Sequence, residues 1–164
     1  MSAAKIVVLV GSTSDMPFAQ RIKDFLQEAC FPIKCEFRVS SAHRNVEKLL
    51  NDLKIYESSN DKIVYVTIAG LSDALSGVVA GYTRNPVIAC PPDLEKHGLP
   101  KAFSTMMTPK GIAVTMVSQP ENAALAAAKI LALSDQSLKN RISEYIADMR
   151  SAVAKADKGT KAKE

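Results

Sequence analysis

The chain has 164 residues, enough for one domain that buries roughly two thirds of its unfolded surface. Hydrophobic residues make up 47% and charged residues 23% of it, a balance typical of globular proteins that excludes a disordered chain. The net charge is only +4 and tryptophan is absent, so we expect no nucleic-acid partner.

The cysteines and the hydropathy of the chain indicate its cellular location. Cys30, Cys35 and Cys90 form no CxxC pair and have no histidine at ligand spacing, so neither a disulfide framework nor a metal site is expected. Met1 is followed almost directly by the strand pattern of residues 5–10, which is too short for the hydrophobic region of a signal peptide, and no apolar run is long enough to cross a bilayer. We therefore expect a cytoplasmic protein with no membrane partner.

The first half of the chain alternates strand and helix patterns. Residues 5–10 end in a continuous aliphatic run, typical of a strand buried on both faces. An amphipathic helix follows, which Asp15 can cap. Further strands are predicted at about residues 33–39 and 63–68, on either side of a helix that starts at Asn45.

The second half continues this alternation. Its predicted elements are a helix at 74–82, strands at 86–90 and 113–117, and helices at 121–133 and 136–154.

Three segments of the second half need separate interpretation. Residues 91–100 are charged and contain several prolines, which predicts an exposed loop or lid with a solvated His97. The helix at 121–133 is apolar almost all round, so it lies either at the centre of the domain or against another subunit, and we favour the subunit contact. We expect a single domain over residues 1–155 and a basic, disordered tail over residues 156–164.

Five strands alternating with helices predict an α/β fold with a three-layer, doubly wound parallel sheet of flavodoxin-like order 2-1-3-4-5 and an extra C-terminal helix. In this order the loops after strands one, two and three border one crevice. We name them loop 1 (residues 11–15, GSTSD), loop 2 (residues 40–44, SSAHR) and loop 3 (residues 69–73, AGLSD).

Each loop permits a ligand and also a plainer role. Loop 1 presents hydroxyls at a helix start, where anions are attracted, but simple helix capping explains the same residues. Arg44 of loop 2 lies at the unfavourable end of a helix dipole, which favours a bound anion over a solvated side chain, and the neighbouring His43 carries an imidazole, a group that can give or take a proton. In loop 3, Gly70 permits a tight turn, while Ser72 or Asp73 could cap the next helix.

The ordered motifs GSTSD, SSAHR, AGLSDALSG, VIACPP and PENAALAAAKIL resemble the phosphoribosylaminoimidazole carboxylase (AIR carboxylase) family of de novo purine biosynthesis over about residues 5–133. The resemblance implies a carbon–carbon lyase that adds carbon dioxide to carbon 4 of 5-aminoimidazole ribonucleotide (AIR). The product is carboxyaminoimidazole ribonucleotide (CAIR). It also implies no cofactor or metal, and a homo-octamer.

Loop 3 resembles the class II enzymes, which use carbon dioxide directly, because it lacks the Gly-Gly-Ala-Ala-His stretch of class I. The alternative is a class I type mutase that isomerises the carbamate of AIR. Leu71 and Asp73 depart from the class II pattern, which has Arg and Asn there, and Met107 and Lys110 stand where it has Arg and Ser. These departures leave altered substrate handling open.

The resemblance implies that His43 is the catalytic residue and that Arg44 binds the phosphate. The predicted substrate-binding residues are Ser12, Ser14, Asp15, Ser41, Arg44, Gly70 and Ser72. A competing hypothesis of another class is a non-catalytic, flavodoxin-like binding module. Aromatic residues are only 5% of the chain, which argues against a stacked flavin.

Overall fold

A computed structural model describes the backbone of residues 3–161 and the side chains of residues 3–158. The strands are β1 (Ala4–Val10), β2 (Lys34–Val39), β3 (Lys62–Ile68), β4 (Val87–Ala89) and β5 (Thr115–Met116). The α-helices are α1 (Met16–Glu28), α2 (Val46–Glu57), α3 (Ala74–Tyr82), α4 (Leu94–Met106), α5 (Pro120–Leu131) and α6 (Gln136–Lys161).

The five strands form one parallel sheet in the order β2-β1-β3-β4-β5, which confirms the predicted flavodoxin-like fold. The register aligns Val10 of β1 with Val39 of β2 and with Ile68 of β3. The Gly11 amide then donates to the Ile68 carbonyl over 2.8 Å, and the Ser40 amide donates to the Val10 carbonyl over 2.9 Å. Loops 1, 2 and 3 therefore leave the sheet side by side.

The central strand β1 is buried on both faces, as its aliphatic run predicted. Its side chains from Ile6 to Val10 are all fully buried. Alternate residues pack against α1, α5 and α6 on one face and against α2 and α3 on the other. Because burial of such a side chain stabilises the fold by about 1.5–3 kcal/mol, β1 gives the three loops a rigid base.

The alanine-rich helix α5 lies inside the domain. Its side chains Ala123, Ala124, Ala127 and Ala128 are fully buried within this one chain, in the same cluster as residues of α1 and β3. Such short side chains let a helix pack close to its neighbours. The preference for a subunit contact on this face is therefore wrong, and the alternative of a central helix is right.

Helix α4 begins at Leu94, inside the stretch that was expected to be a loop. The helix is broken by Gly98, whose backbone (φ 58°, ψ −138°) lies in a region that favours glycine. Pro100 follows near the start of the second segment, where its missing N–H costs little. The expectation of an irregular segment is thus wrong from Leu94 onward.

Helix α6 continues to Lys161, beyond the predicted end at residue 154 and into the segment predicted as a tail. Residues 162–164 of that tail lie outside the described residues. No helix within residues 3–161 combines the length and the hydropathy needed to cross a membrane.

Candidate functional site

Loops 1, 2 and 3 meet at the carboxyl edge of the sheet around a cavity of about 410 Å³. This volume suits a small molecule. Every residue that the sequence put forward for the site lines the cavity: Ser12, Ser14, Asp15, Ser41, His43, Arg44, Gly70 and Ser72. The cavity is also lined by Asp93, which the sequence did not put forward.

Loop 1 presents a carboxylate that the helix does not use. Ser12 caps the short 3₁₀ turn Thr13–Asp15, and its hydroxyl oxygen accepts from the Ser14 hydroxyl over 2.9 Å. Asp15 stands at the N-cap position of α1 but makes no capping hydrogen bond, so the expectation that it caps this helix is wrong. From the side chains of residues 3–158 its carboxylate accepts only a long bond of 3.5 Å, from the Ser14 hydroxyl, and it remains available to a ligand.

Loop 2 is a turn held by its own backbone. The Ser41 carbonyl accepts from the Asn45 amide over 3.0 Å, and the Ser41 hydroxyl oxygen accepts from the Arg44 amide over 3.3 Å. Asn45 caps α2 through a 2.9 Å bond from the Lys48 amide. The capping requirement of α2 is thus met by Asn45, and Arg44 precedes the helix without a capping role.

The side chains of His43 and Arg44 are exposed, and neither makes a hydrogen bond or ion pair with another described residue. An imidazole can exchange a proton near neutral pH, and a guanidinium can bind a phosphate through two parallel hydrogen bonds. Both groups therefore have their full bonding capacity available at the cavity.

A charged network fixes the start of loop 2. The buried Ser40 hydroxyl donates to the Asp52 carboxylate, which also pairs with the Lys48 ammonium at 2.6 Å. Burial opposes the ionisation of Asp52, but the hydrogen bonds from Lys48 and Ser40 outweigh it and lower the pKa of this carboxyl group. The network ties loop 2 to α2 directly behind His43.

Loop 3 passes close to Asp93. A Cβ atom at residue 70 would lie 3.4 Å from Asp93 Oδ2, an ordinary van der Waals distance, so loop 3 passes directly beside this carboxylate. The next residue, Leu71, has a positive φ of 54°, and its amide donates to Asp93 Oδ2 over 2.7 Å. Because leucine rarely adopts this conformation, the bond to Asp93 holds the loop in a strained turn.

Asp73 and Ser72 divide the two roles that the sequence left open for them. Asp73 is buried and caps α3, since its carboxylate accepts from the Ser76 amide over 3.0 Å and from the Ser76 hydroxyl over 2.7 Å. The Ser72 side chain takes no part in this cap and lines the cavity. The capping interpretation therefore holds for Asp73 only.

The electrostatics of the cavity centre on Asp15. Burial raises the pKa of its carboxyl group, and the nearby Asp93 carboxylate raises it further. The Ser14 hydrogen bond and the positive charges of Lys101 and Arg44 act in the opposite direction. The site thus combines two neighbouring carboxylates with a guanidinium, hydroxyls and an imidazole, an arrangement that can receive sugar hydroxyls, bind a phosphate and transfer a proton.

Sequence reasoning missed Asp93 and Lys101. Asp93 follows β4, so the rule that ligands gather at the carboxyl ends of parallel strands could have indicated it. No pattern distinguished the buried Lys101 from exposed lysines. His97, which was expected to be solvated, keeps 35% of its side chain exposed and also lies 3.6 Å from Asp93, so it is solvated on one side and next to a carboxylate on the other.

Comparison with known proteins identifies close relatives of this chain. A family model described as AIR carboxylase matches residues 5–152. A phosphoribosylaminoimidazole carboxylase of Archaeoglobus fulgidus is 40% identical over 93% of this chain and 83% of its own length. An N5-carboxyaminoimidazole ribonucleotide mutase of Methanocaldococcus jannaschii is 39% identical over 95% of this chain and 97% of its own length.

A solved structure shares the fold as well. The crystal structure of Treponema denticola PurE superimposes with a TM-score of 0.89 at 35% identity, covering 94% of this chain and 96% of that one. The agreement extends over nearly the whole of both chains, so the strand order and the loops at the carboxyl edge belong to a shared architecture.

Proposed function

The chain belongs to the AIR carboxylase family and is an enzyme of purine biosynthesis, and on this premise we propose that it joins carbon dioxide to carbon 4 of AIR to give CAIR. One observation carries the proposal. Loops 1, 2 and 3 bring an imidazole, a guanidinium, a carboxylate and several hydroxyls to one cavity of about 410 Å³. AIR offers a matching set of groups, namely a phosphate, a ribose and a ring carbon that must lose a proton.

Each group of the substrate has a partner in the proposed complex. Arg44 binds the phosphate, assisted by the Ser12 and Ser14 hydroxyls beside the start of α1. Asp15 accepts hydrogen bonds from the ribose hydroxyls, because its carboxylate is not used for helix capping. Gly70 and the adjoining backbone of loop 3 lie against the imidazole ring of AIR.

The reaction needs no external electron source, because the amino group of AIR makes carbon 4 nucleophilic. The electron pair of the ring forms the new carbon–carbon bond, and one carbon–oxygen π pair of carbon dioxide moves to oxygen to give a carboxylate. Carbon 4 then still carries its proton. His43 accepts that proton, the ring becomes aromatic again, and the reverse reaction uses the protonated His43 as acid. General acid–base catalysis of this kind contributes about 10²- to 10⁴-fold to the rate.

A mutase is the second candidate, since the Methanocaldococcus jannaschii relative carries that name at 39% identity. It would isomerise the carbamate of AIR to CAIR at the same site. The two activities separate when the enzyme receives either AIR with bicarbonate or the carbamate alone, and CAIR is followed by its ultraviolet absorbance. CAIR formed only from the carbamate would overturn the carboxylase proposal.

A non-catalytic binding module is not favoured, since the curated relatives are named as enzymes.

His43→Asn tests the proposed proton transfer. We expect the variant to bind AIR with unchanged affinity and to lose at least about 100-fold in kcat, because the amide cannot act as a base near neutral pH. His97→Asn removes the other imidazole of the chain, which lies outside the cavity but 3.6 Å from Asp93, so this variant should lose much less turnover than His43→Asn. A His43→Asn enzyme with nearly normal kcat would assign the proton transfer to another group.

The homo-octamer, the cytoplasmic location and the single domain over residues 1–155 are also proposed, on the resemblance and the sequence patterns described above. Sedimentation velocity of the purified protein measures the assembly directly. A species of any other size at working concentration would contradict the octamer.

A further inference from the structure

Lys101 is an unusual lysine. It lies on α4 with only 2% of its surface exposed, and its Nζ atom is buried without a hydrogen-bond partner among the described residues. Burying an ammonium ion is costly unless opposite charges lie close by. The surroundings of Lys101 should therefore explain its place.

Helix α4 supports loop 3 from the side away from the main cavity. The Ser104 hydroxyl oxygen, on the same helix as Lys101, accepts from the Asp73 amide over 2.8 Å. Lys101 and Ser104 line a second cavity of about 320 Å³ that shares Leu71 and Ser72 with the first. Lys101 thus lies in a cavity that adjoins the main cavity across residues Leu71 and Ser72 of loop 3.

Burial lowers the pKa of the Lys101 amine, and the charges of three carboxylates from different parts of the chain oppose this effect and favour the ammonium form: Asp73, Asp93 and Asp15. Asp73 is already occupied by its capping bonds to α3. Asp93 uses Oδ2 to accept from the Leu71 amide, whereas its Oδ1 is buried without a hydrogen-bond partner among the described residues. The Asp15 carboxylate makes only the long bond from Ser14.

Asp15 and Asp93 flank the same point of loop 3. A Cβ atom at residue 70 would lie 3.4 Å from Asp93 Oδ2 and 4.0 Å from Asp15 Oδ1. Among the residues that the structure describes, the other charged or titratable groups near this pair include Arg44, toward Asp15, His97, 3.6 Å from Asp93, and His43, which lines the same cavity. Two adjacent carboxylates repel each other, which favours protonation of one of them unless a cation offsets the repulsion.

We propose that Lys101 is a positioning residue whose buried ammonium offsets the Asp15 and Asp93 carboxylates from behind loop 3. The offset keeps the Asp15 carboxyl group ionised, and therefore able to accept hydrogen bonds from sugar hydroxyls, at a lower pH than its position beside Asp93 would otherwise allow. This inference rests on the proposed function for the identity of the ligand, but not for the charge balance itself. The direction agrees with the titration of Asp15, whose pKa is raised by burial and by Asp93 and is lowered by Lys101.

The test compares Lys101→Met and Lys101→Arg with Lys96→Met, a control that removes an exposed lysine of the same helix. Removing one member of a buried group of opposite charges leaves the others uncompensated, so Lys101→Met should fold but with a lowered melting temperature. Thermal unfolding checks this, and Lys101→Gln replaces it if Lys101→Met unfolds at assay temperature.

Two measurements are made on each variant: the carboxyl titration of Asp15 by ¹³C NMR, assigned with Asp15→Asn, and kcat and KM for AIR across pH. In Lys101→Met we expect the Asp15 midpoint to move to higher pH and the acidic limb of kcat/KM to move with it. Below that limb kcat/KM should fall about tenfold per pH unit, mainly through KM. Lys101→Arg should restore both, and Lys96→Met should match the unchanged enzyme.

An Asp15 midpoint that is the same in Lys101→Met as in the unchanged protein would overturn the inference, as would a Lys96→Met variant with an equal shift. The titration needs no turnover. If the unchanged enzyme makes no CAIR under any condition, the proposed function fails, whereas a shifted Asp15 midpoint would still support the role of Lys101.

Discussion

Arg44→Ala measures how much of the substrate affinity comes from phosphate recognition. The Arg44 guanidinium is exposed and makes no hydrogen bond or ion pair with another described residue, so its removal breaks no internal contact and the fold should hold. A hydrogen bond to a charged group contributes about 1.5–3 kcal/mol, and each 1.4 kcal/mol is about tenfold in affinity. We therefore expect the Kd of AIR to rise about 10- to 100-fold, with a smaller change in kcat.

Isothermal titration calorimetry gives the Kd of AIR for Arg44→Ala and for two comparison variants. Arg44→Lys keeps the charge but loses the planar pair of donors. Its affinity for AIR should therefore lie between that of the unchanged protein and that of Arg44→Ala. Arg84→Ala is the control, because Arg84 is a mainly exposed arginine outside the cavity whose nearest carboxylate, that of Glu57, is 3.8 Å away. Unchanged affinity in Arg44→Ala, or an equal loss in Arg84→Ala, would refute the phosphate role of Arg44.

Two further predictions concern stability. The hydrogen bond from Lys34 is the largest cause that lowers the pKa of Glu36 from 4.5 to about 2, so Glu36 stabilises the fold above pH 4.5 and this stabilisation is lost as the pH falls toward 2. Because Lys34 is exposed and its charge is screened by solvent, we expect Glu36 to contribute about 1–2 kcal/mol to the free energy of unfolding. Denaturant unfolding at pH 7 and pH 3 measures this contribution. The free energy of unfolding should fall less between these two pH values in Glu36→Gln than in a Glu28→Gln control. Cys30, just after α1, has a φ of 52°, a conformation that strains any residue except glycine. Cys30→Gly should therefore raise the free energy of unfolding, measured in urea, by about 0.5–1 kcal/mol. A decrease would show that the Cys30 backbone is not strained.

The strand order and the loops that form the site could be predicted because both follow from local signals and a general rule. The aliphatic run at residues 5–10 requires a strand with both faces covered, and right-handed crossovers leave few arrangements for five such strands. Once β1 lies between β2 and β3, loops 1, 2 and 3 must share one edge. The observed register pairs Val10 with Val39 and with Ile68, so β1, β2 and β3 end at the same height of the sheet.

Helix α4 and the burial of α5 could not be predicted in the same way. Gly98 and Pro100 interrupt the apolar spacing of α4, and each is a normal sign of a loop. In α5 the apolar residues surround the helix, so periodicity cannot tell a face buried in the chain from a face buried by a partner. Only the tertiary packing of α5 in one cluster with residues of α1 and β3 decides between them.

Helix α4, which the sequence did not predict, carries Lys101, a positive charge near the carboxylates of the site. Among the described residues that line the main cavity, Arg44 carries the one permanently positive side chain, and loop 3 has the exposed Leu71 where the resemblance leads one to expect an arginine. Lys101, which the same resemblance does not predict, lies behind that loop on α4. A cation behind the loop can offset Asp15 and Asp93, but it cannot touch the phosphate. The consequence is that phosphate affinity depends on Arg44 to a greater degree than in a site with two exposed arginines, and Arg44→Ala and Lys101→Met should differ in kind, the first weakening binding at every pH and the second chiefly at low pH.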